Sequence, residues 1–194
     1  MLTAGHETTA NGLAWTFYLL SKHPGILRRV QHELDEVLGD EEPDMMKLRD
    51  LSYTNQVIQE SMRLYPPVWA VARRAEQDDV LSGHVVKRGT YVVMSPYVIQ
   101  RHPQYWENPE GFDPDRFSPE RLERARAQGR PKQAYFPFSV GPRKCIGDHF
   151  AKMEALIILA TLLRRFTPSL VPGQRIETET SITLRPKYGI HMTL

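Results

Sequence analysis

Between His23 and Leu38, apolar residues recur at spacings of three and four. Ile26, Leu27, Val30, Leu34, Val37 and Leu38 share one face, while Arg28, Arg29, Glu33, Asp35 and Glu36 take the other. This is the period of an amphipathic helix, and Gly39 supplies its stop. Upstream, Leu13 to Leu20 is an apolar, helix-permitting run that Pro24 ends or restarts. A further helix is predicted from Leu51 to Tyr65, closed by Pro66-Pro67. The pattern then turns to β: Val68 to Arg73 reads as a strand with a charged end. Val85-Val86 and Tyr91 to Met94, set off by Gly83 and Gly89, read as further strands.

From Tyr97 to Pro119, aromatic residues that need burial alternate with prolines that forbid regular ladders, so the segment is expected to be ordered but irregular. Ile146 to Phe166 is expected to form a buried helix with Phe150, Met153, Ile157, Ala160 and Leu163 on one stripe. The tail holds strand-like Ser181 to Leu184 and Gly189 to Met192, separated by Arg185 to Tyr188. No internal repeat and no low-complexity segment interrupts the 194 residues, a length suited to one domain or part of one.

Composition narrows the function classes. A formal charge of +2 gives no bulk electrostatic case for nucleic acid, and 41% apolar content is enough for a core. No apolar run reaches the roughly 18–20 residues of a membrane span. The first residues lack the basic and apolar regions of a signal peptide. A cytoplasmic location is expected, with an anchor upstream of this chain left open. One cysteine excludes an intrachain disulfide and fits a reducing compartment.

That cysteine, Cys145, lies in Phe138-Ser139-Val140-Gly141-Pro142-Arg143-Lys144-Cys145-Ile146-Gly147, just before the long apolar run. A lone cysteine is ordinarily a small core hydrophobe. Beside a helix start, however, unpaired N–H groups and the positive dipole end favour thiolate. Gly141 and Gly147 permit a flat group to approach the backbone, and Arg143 offers a fork for a carboxylate. Elsewhere, His6-Glu7 lacks the second histidine of a zinc-protease helix, since position 10 is Ala10. Thr and Glu there also suit a helix start. Glu60 and Arg63, three apart, share a helix face. The basic run Arg121, Arg124, Arg126, Arg130 and Lys132 reads either as a solvated face or as a dock for an acidic partner.

The spacing Phe-x-x-Gly-x-Arg-x-Cys-x-Gly resembles the haem-binding loop of the cytochromes P-450. Ala4-Gly5-His6-Glu7-Thr8-Thr9 is similar to the family's distal helix. Glu60-Ser61-Met62-Arg63 with Pro66-Pro67 resembles its Glu-x-x-Arg helix, and Phe112 to Phe117 its following arginine segment. The order along the chain is also the family's.

The resemblance implies a mainly α fold with small β-sheets (α+β). It is the C-terminal half of the P-450 fold, starting within the long distal helix. The expected parts are a helical part over 1–66, a β-rich part over 67–100 and an irregular meander over 101–135. The haem-thiolate loop and proximal helix would occupy 136–166, and C-terminal β-hairpins 167–194.

By the same resemblance, Cys145 is the thiolate ligand of the iron of haem b. Arg73, Phe138, Gly141, Arg143 and Gly147 contact the cofactor, with Arg74 competing for the propionate role of Arg73. Glu7 and Thr8 form an acid–alcohol proton relay. Glu60, Arg63 and Arg116 form a buried structural triad, with Asp115 standing where the family usually has Glu. Ala4, Val68, Ala70, Val71 and Ile182 line a pocket for a small apolar organic substrate.

The implied reaction is O2-dependent monooxygenation. Electrons would come from NAD(P)H through a ferredoxin or flavoprotein reductase docking on the proximal face. A peroxide-driven peroxygenase and a truncated, non-catalytic remnant are the alternatives. An isolated half is expected to leave the apolar face of Leu13 to Leu20 uncovered.

Overall fold

Prolines set where the first helices start and stop. The computed structural model describes residues 2–194. Its first helix, α1 (Leu2–Lys22), gives way at His23 to α2 (Pro24–Leu38), whose first residue is the proline. His23 bridges the junction, its Nδ1 lying 2.7 Å from the Leu19 carbonyl oxygen. Gly39, with φ of 53°, ends α2 and donates its N–H to Asp35 O. The next helix, α3 (Ser52–Leu64), stops before Pro66-Pro67, which have no N–H to continue it.

Its start is capped from another helix: Glu33 of α2 accepts the N–H groups of Tyr53 (2.6 Å) and Thr54 (2.7 Å). Three helices follow, α4 (Pro96–Ile99), α5 (Pro119–Ala127) and α6 (Asp148–Leu163). Both α4 and α5 begin with a serine cap followed by proline: Ser95 Oγ accepts from Val98 N, and Ser118 Oγ from Arg121 N.

Among the described residues the strands form four two-stranded antiparallel ladders. The first pairs β1 (Val71–Arg74) with β4 (Tyr91–Met94), Arg73 lying opposite Val92. β2 (Asp79–Leu81) and β3 (His84–Val86) form a hairpin. β5 (Ser169–Leu170) pairs with β8 (Met192–Thr193), and β6 (Thr178–Thr180) with β7 (Leu184–Pro186). The core lies where α1, α2, α3 and α6 meet, around Leu20, Val30, Leu34, Leu51, Val57 and Leu159. The ladders sit at its margin, joined to it by hydrogen bonds such as Leu184 N to Pro67 O (2.8 Å).

Several expectations need correction. The apolar run of α1 is not uncovered, because Leu13, Trp15, Leu19 and Leu20 are all buried in this chain. Trp15 stacks on Tyr65 at a centroid distance of 4.2 Å. The exposed apolar surface lies on α6 instead. Its buried face is Ala155, Leu156, Leu159, Ala160 and Leu163, while Phe150 is 63% exposed and Ile157 also faces outward. A helix apolar on every side carries no signal for which side is covered. In the tail, Ser181, Ile182 and Thr183 form the turn between β6 and β7, and Arg185 and Pro186 belong to β7. Part of the basic run is the helix α5.

Candidate functional site

The loop from Phe138 to Cys145 closes on itself, with Cys145 N donating to Phe138 O at 2.9 Å. Two residues inside it, Ser139 (φ 61°) and Gly141 (φ 75°), take left-handed backbone. Cys145 is exposed, and Ile146 beside it is 91% exposed. At Gly141 no atom lies within 4 Å of where a Cβ would stand, and at Gly147 the nearest is the Cys145 sulfur at 3.9 Å. Phe138 is partly buried against the core, and Lys152 lies over its ring at 5.2 Å. Lys144 pairs with Asp148 at 2.6 Å, and the ammonium holds that carboxyl below its usual range. An acid in the first turn of α6 also suits the helix dipole.

Arg73 reaches this loop, donating from Nη2 to Ser139 Oγ at 3.1 Å. Arg74 lies elsewhere, its guanidinium 3.5 Å from the point where a Gly89 Cβ would sit. Arg143 is exposed on the same loop as Cys145. Among the described residues no group of three or more His, Cys, Asp and Glu could hold a bare metal ion. A lone thiol suits a metal that brings its own ring of ligands. Open glycines and cationic groups beside that thiol suit a flat, carboxylate-bearing group, so the residues present fit haem.

Behind the loop, Glu60, Arg63 and Arg116 are brought together and buried. Glu60 Oε2 accepts from Arg63 Nε at 2.7 Å, and Oε1 accepts from Arg63 Nη2 (2.8 Å), Arg116 Nε (3.1 Å) and Asp113 N (2.9 Å). The remaining guanidinium donors of Arg63 end on the carbonyls of Gln100, Pro109 and Gly111, and Arg116 Nη2 donates to Asn108 O. Arg63, with all five N–H groups bonded, is paired as a buried ion must be.

Glu7 and Thr8 are not joined to each other. Thr8 Oγ1 donates to Ala4 O at 2.8 Å, and Glu7 Oε1 accepts from Thr183 Oγ1 at 2.6 Å. Thr183 in turn accepts from Asn11 Nδ2 at 3.1 Å, and Trp15 Nε1 donates to Leu184 O at 3.2 Å. Residues 7, 11 and 15 therefore present one face of α1 to the β6–β7 turn. Ile182, at the tip of that turn, is 90% exposed; Val68, Ala70 and Val71 are half-buried, and Ala4 is exposed. Trp69 Nε1 donates to Ser181 O at 2.9 Å, tying the Val68 to Val71 segment to the same turn.

Of the basic run, Arg121 is paired with Asp113 at 2.8 Å and Arg130 lies over Trp106 at 4.5 Å. Burial and neighbouring guanidinium charges lower the Arg130 pKa. Arg124 and Arg126 are exposed. No helix among the described residues is long and apolar enough to cross a membrane.

A fold of helices and small sheets carrying a buried Glu/Arg/Arg cluster and an open cysteine loop fits the class of haem proteins that the loop spacing resembles. The sequence model described as Cytochrome P450 matches residues 1–193. Putative cytochrome P450 132 of Mycobacterium tuberculosis (strain ATCC 25618 / H37Rv) is 42% identical over 191 residues, covering 98% of this chain and 40% of that protein. Carotene epsilon-monooxygenase, chloroplastic, of Arabidopsis thaliana is 42% identical over 193 residues, covering 99% of this chain and 35% of that protein. The crystal structure of cytochrome P450DA heme domain superposes with a TM-score of 0.89 at 33% identity, over 99% of this chain and 42% of its own. The chain belongs to the cytochrome P450 family, and spans 35–40% of the length of the two curated relatives named here.

Sequence reasoning missed three residues at this site. Gln100 and Thr183 are buried polar groups with distant partners, and Ser139 holds Arg73. Only Gln100 left a trace, in the two consecutive prolines whose missing N–H groups call for a donor from elsewhere.

Proposed function

We propose that this chain forms the haem-binding portion of a P450 monooxygenase acting on a small apolar organic substrate. One atom of O2 enters the substrate and the other leaves as water, consuming two electrons and two protons. The electrons come from NAD(P)H through a ferredoxin or flavoprotein reductase. The observation that carries this reading is the single exposed thiol of Cys145 on a closed, glycine-bearing loop that Arg73 abuts. The relative named carotene epsilon-monooxygenase supports the reaction type.

Cys145 would hold the iron, with Phe138, Gly141 and Gly147 against the flat group and Arg73 and Arg143 toward its carboxylates. Bound there, haem supplies reductive activation of O2. The chain contributes ligand charge, position and protons. Buried Glu60, Arg63 and Arg116 lock the scaffold behind the loop without touching substrate. Glu7, with a carboxyl that can carry a proton, and Thr8, with a hydroxyl that can pass one on, supply the relay. Ala4, Val68, Ala70, Val71 and Ile182 present apolar surface to the substrate. Exposed Arg124 and Arg126 of the basic run suit an acidic electron donor.

Haem reconstitution of the 194-residue chain tests this. The ferrous–carbon monoxide form should give the red-shifted absorption of thiolate ligation, and Cys145→Ser should abolish it. A wild-type chain lacking that band would leave the non-catalytic remnant as the better reading. A peroxide-driven reaction is favoured by one observation, the separation of Glu7 and Thr8 onto different partners. Thr8→Ala decides between them: reductase-driven turnover should fall while peroxide-driven turnover persists.

A further inference from the structure

We propose that Gln100 is a positioning residue for the cysteine loop, carrying the end of α3 to its base. The inference rests on the reading of Cys145 as the iron ligand. Gln100 has no exposed surface. Its Nε2 donates to Met62 O at 3.0 Å and to Arg63 O at 3.1 Å, and its Oε1 accepts from Phe136 N at 3.0 Å. Its own carbonyl accepts from Arg63 Nη1 at 2.9 Å.

The two carbonyls are not arbitrary. In a continuing helix they would accept the N–H groups four residues on, at positions 66 and 67. Both positions are proline, so neither N–H exists. One side-chain NH2 replaces both missing donors, and this fixes which way the amide faces. The oxygen must then point the other way, where it captures Phe136 N–H.

Phe136 is where the loop is anchored. Its carbonyl accepts from Ser139 N at 3.0 Å, and two residues on Phe138 O accepts from Cys145 N at 2.9 Å. A continuous set of hydrogen bonds therefore runs from Glu60 through Arg63 to Gln100, then to Phe136 and the loop that Cys145 closes. The Gln100 side chain carries no charge, so it acts on the loop through hydrogen-bond geometry.

Amide hydrogen exchange on the 194-residue chain tests the proposal without cofactor. Gln100→Leu keeps the volume and removes all three side-chain bonds. Exchange at the amides of Phe136 and Cys145 should become about tenfold faster, while amides of α1 and α6 around Trp15 and Leu159 keep their protection. Gln100→His, which offers one donor and one acceptor, should restore part of the protection at Phe136. Unchanged exchange at Phe136 and Cys145 overturns the proposal. So does equal acceleration everywhere, or failure of both variants to fold, because the role is then general stability. With haem bound, Gln100→Leu should move part of the ferrous–carbon monoxide absorption from the thiolate-type band to the non-thiolate one at constant haem content. If the wild-type chain shows no thiolate-type band, the ligand reading fails, while the exchange result still decides the role of Gln100.

Discussion

The Glu60 cluster and the Cys145 loop lie on two sides of the same hydrogen-bonded path, yet they differ in almost every physical respect. Around Glu60 the carboxylate pairs with both arginines and the surplus donors of Arg63 all end on carbonyls, with Glu60 and Arg63 showing no exposed side chain. Around Cys145 the thiol, Ile146, Phe150 and Val140 are all exposed. One region is complete within this chain; the other presents groups outward. Stability is therefore concentrated behind the site, and chemistry is left at its open edge, where a bound group can meet it.

The largest expected effect breaks that contrast from the closed side. Glu60→Ala leaves two buried guanidinium groups without their carboxylate and should cost about 3–5 kcal/mol in denaturant unfolding. Cys145→Ser, at an exposed position, should change stability by less than about 0.5 kcal/mol while removing the thiolate absorption of the haem-bound chain. Equal losses from the two substitutions would show that stability is not concentrated in the cluster.

A second effect sharpens the comparison within α3. Tyr53 is buried, its hydroxyl has no hydrogen-bond partner among the described residues, and Arg29 lies 3.7 Å over its ring. Burial pushes its pKa up from 10.0 to about 12. The folded state thus holds this proton more tightly than the unfolded state does. That contribution is fully present below pH 10 and is lost as pH rises through about 12. Tyr53→Phe should leave stability near neutral pH unchanged or slightly higher, and should remove this part of the alkaline loss. Identical alkaline unfolding curves for the two proteins would refute it.

These contrasts also explain what was legible in the sequence. The period of α2 and the spacing of Glu60 and Arg63 are local signals, and each survives folding intact. The apolar α6 names no buried face by itself, so its spacing predicts Phe150 and Ile157 inward whereas the structure turns them outward. The helix α5 has no apolar stripe to betray it; its signal was the Ser118-Pro119 start within a run that reads first as charge. The β6–β7 register depends on Thr183 and Leu184 meeting α1 and Pro67, contacts that no window of local sequence contains. Gln100 likewise joins segments 37 and 36 residues away, and only the two prolines hinted that it was needed.

The loop itself offers a smaller effect. Ser139 holds a left-handed backbone at φ 61° while its hydroxyl accepts from Arg73. Ser139→Gly removes the strain and should stabilise the chain by about 1 kcal/mol, offset in part by the lost bond. Ser139→Ala keeps the strain and loses the bond, so it should destabilise slightly. If the two variants unfold at the same midpoint, backbone strain is not a feature of this loop.

The smallest effect belongs to Asp115, next in sequence to Arg116 but on the opposite side of the open–closed divide. Arg116 is buried on Glu60, whereas Asp115 makes a two-pronged pair with Arg29 at 2.8 and 2.9 Å with both side chains substantially exposed. The Arg29 hydrogen bond holds the Asp115 carboxyl below its ordinary range. Its contribution is therefore present above the ordinary carboxylate pKa and is lost as pH falls through the lowered one. Water and salt screen such a pair, so Asp115→Asn should cost no more than about 1 kcal/mol at low ionic strength and less in high salt. A loss approaching that of Glu60→Ala, or one insensitive to salt, would mean that Asp115 acts as a member of the buried cluster.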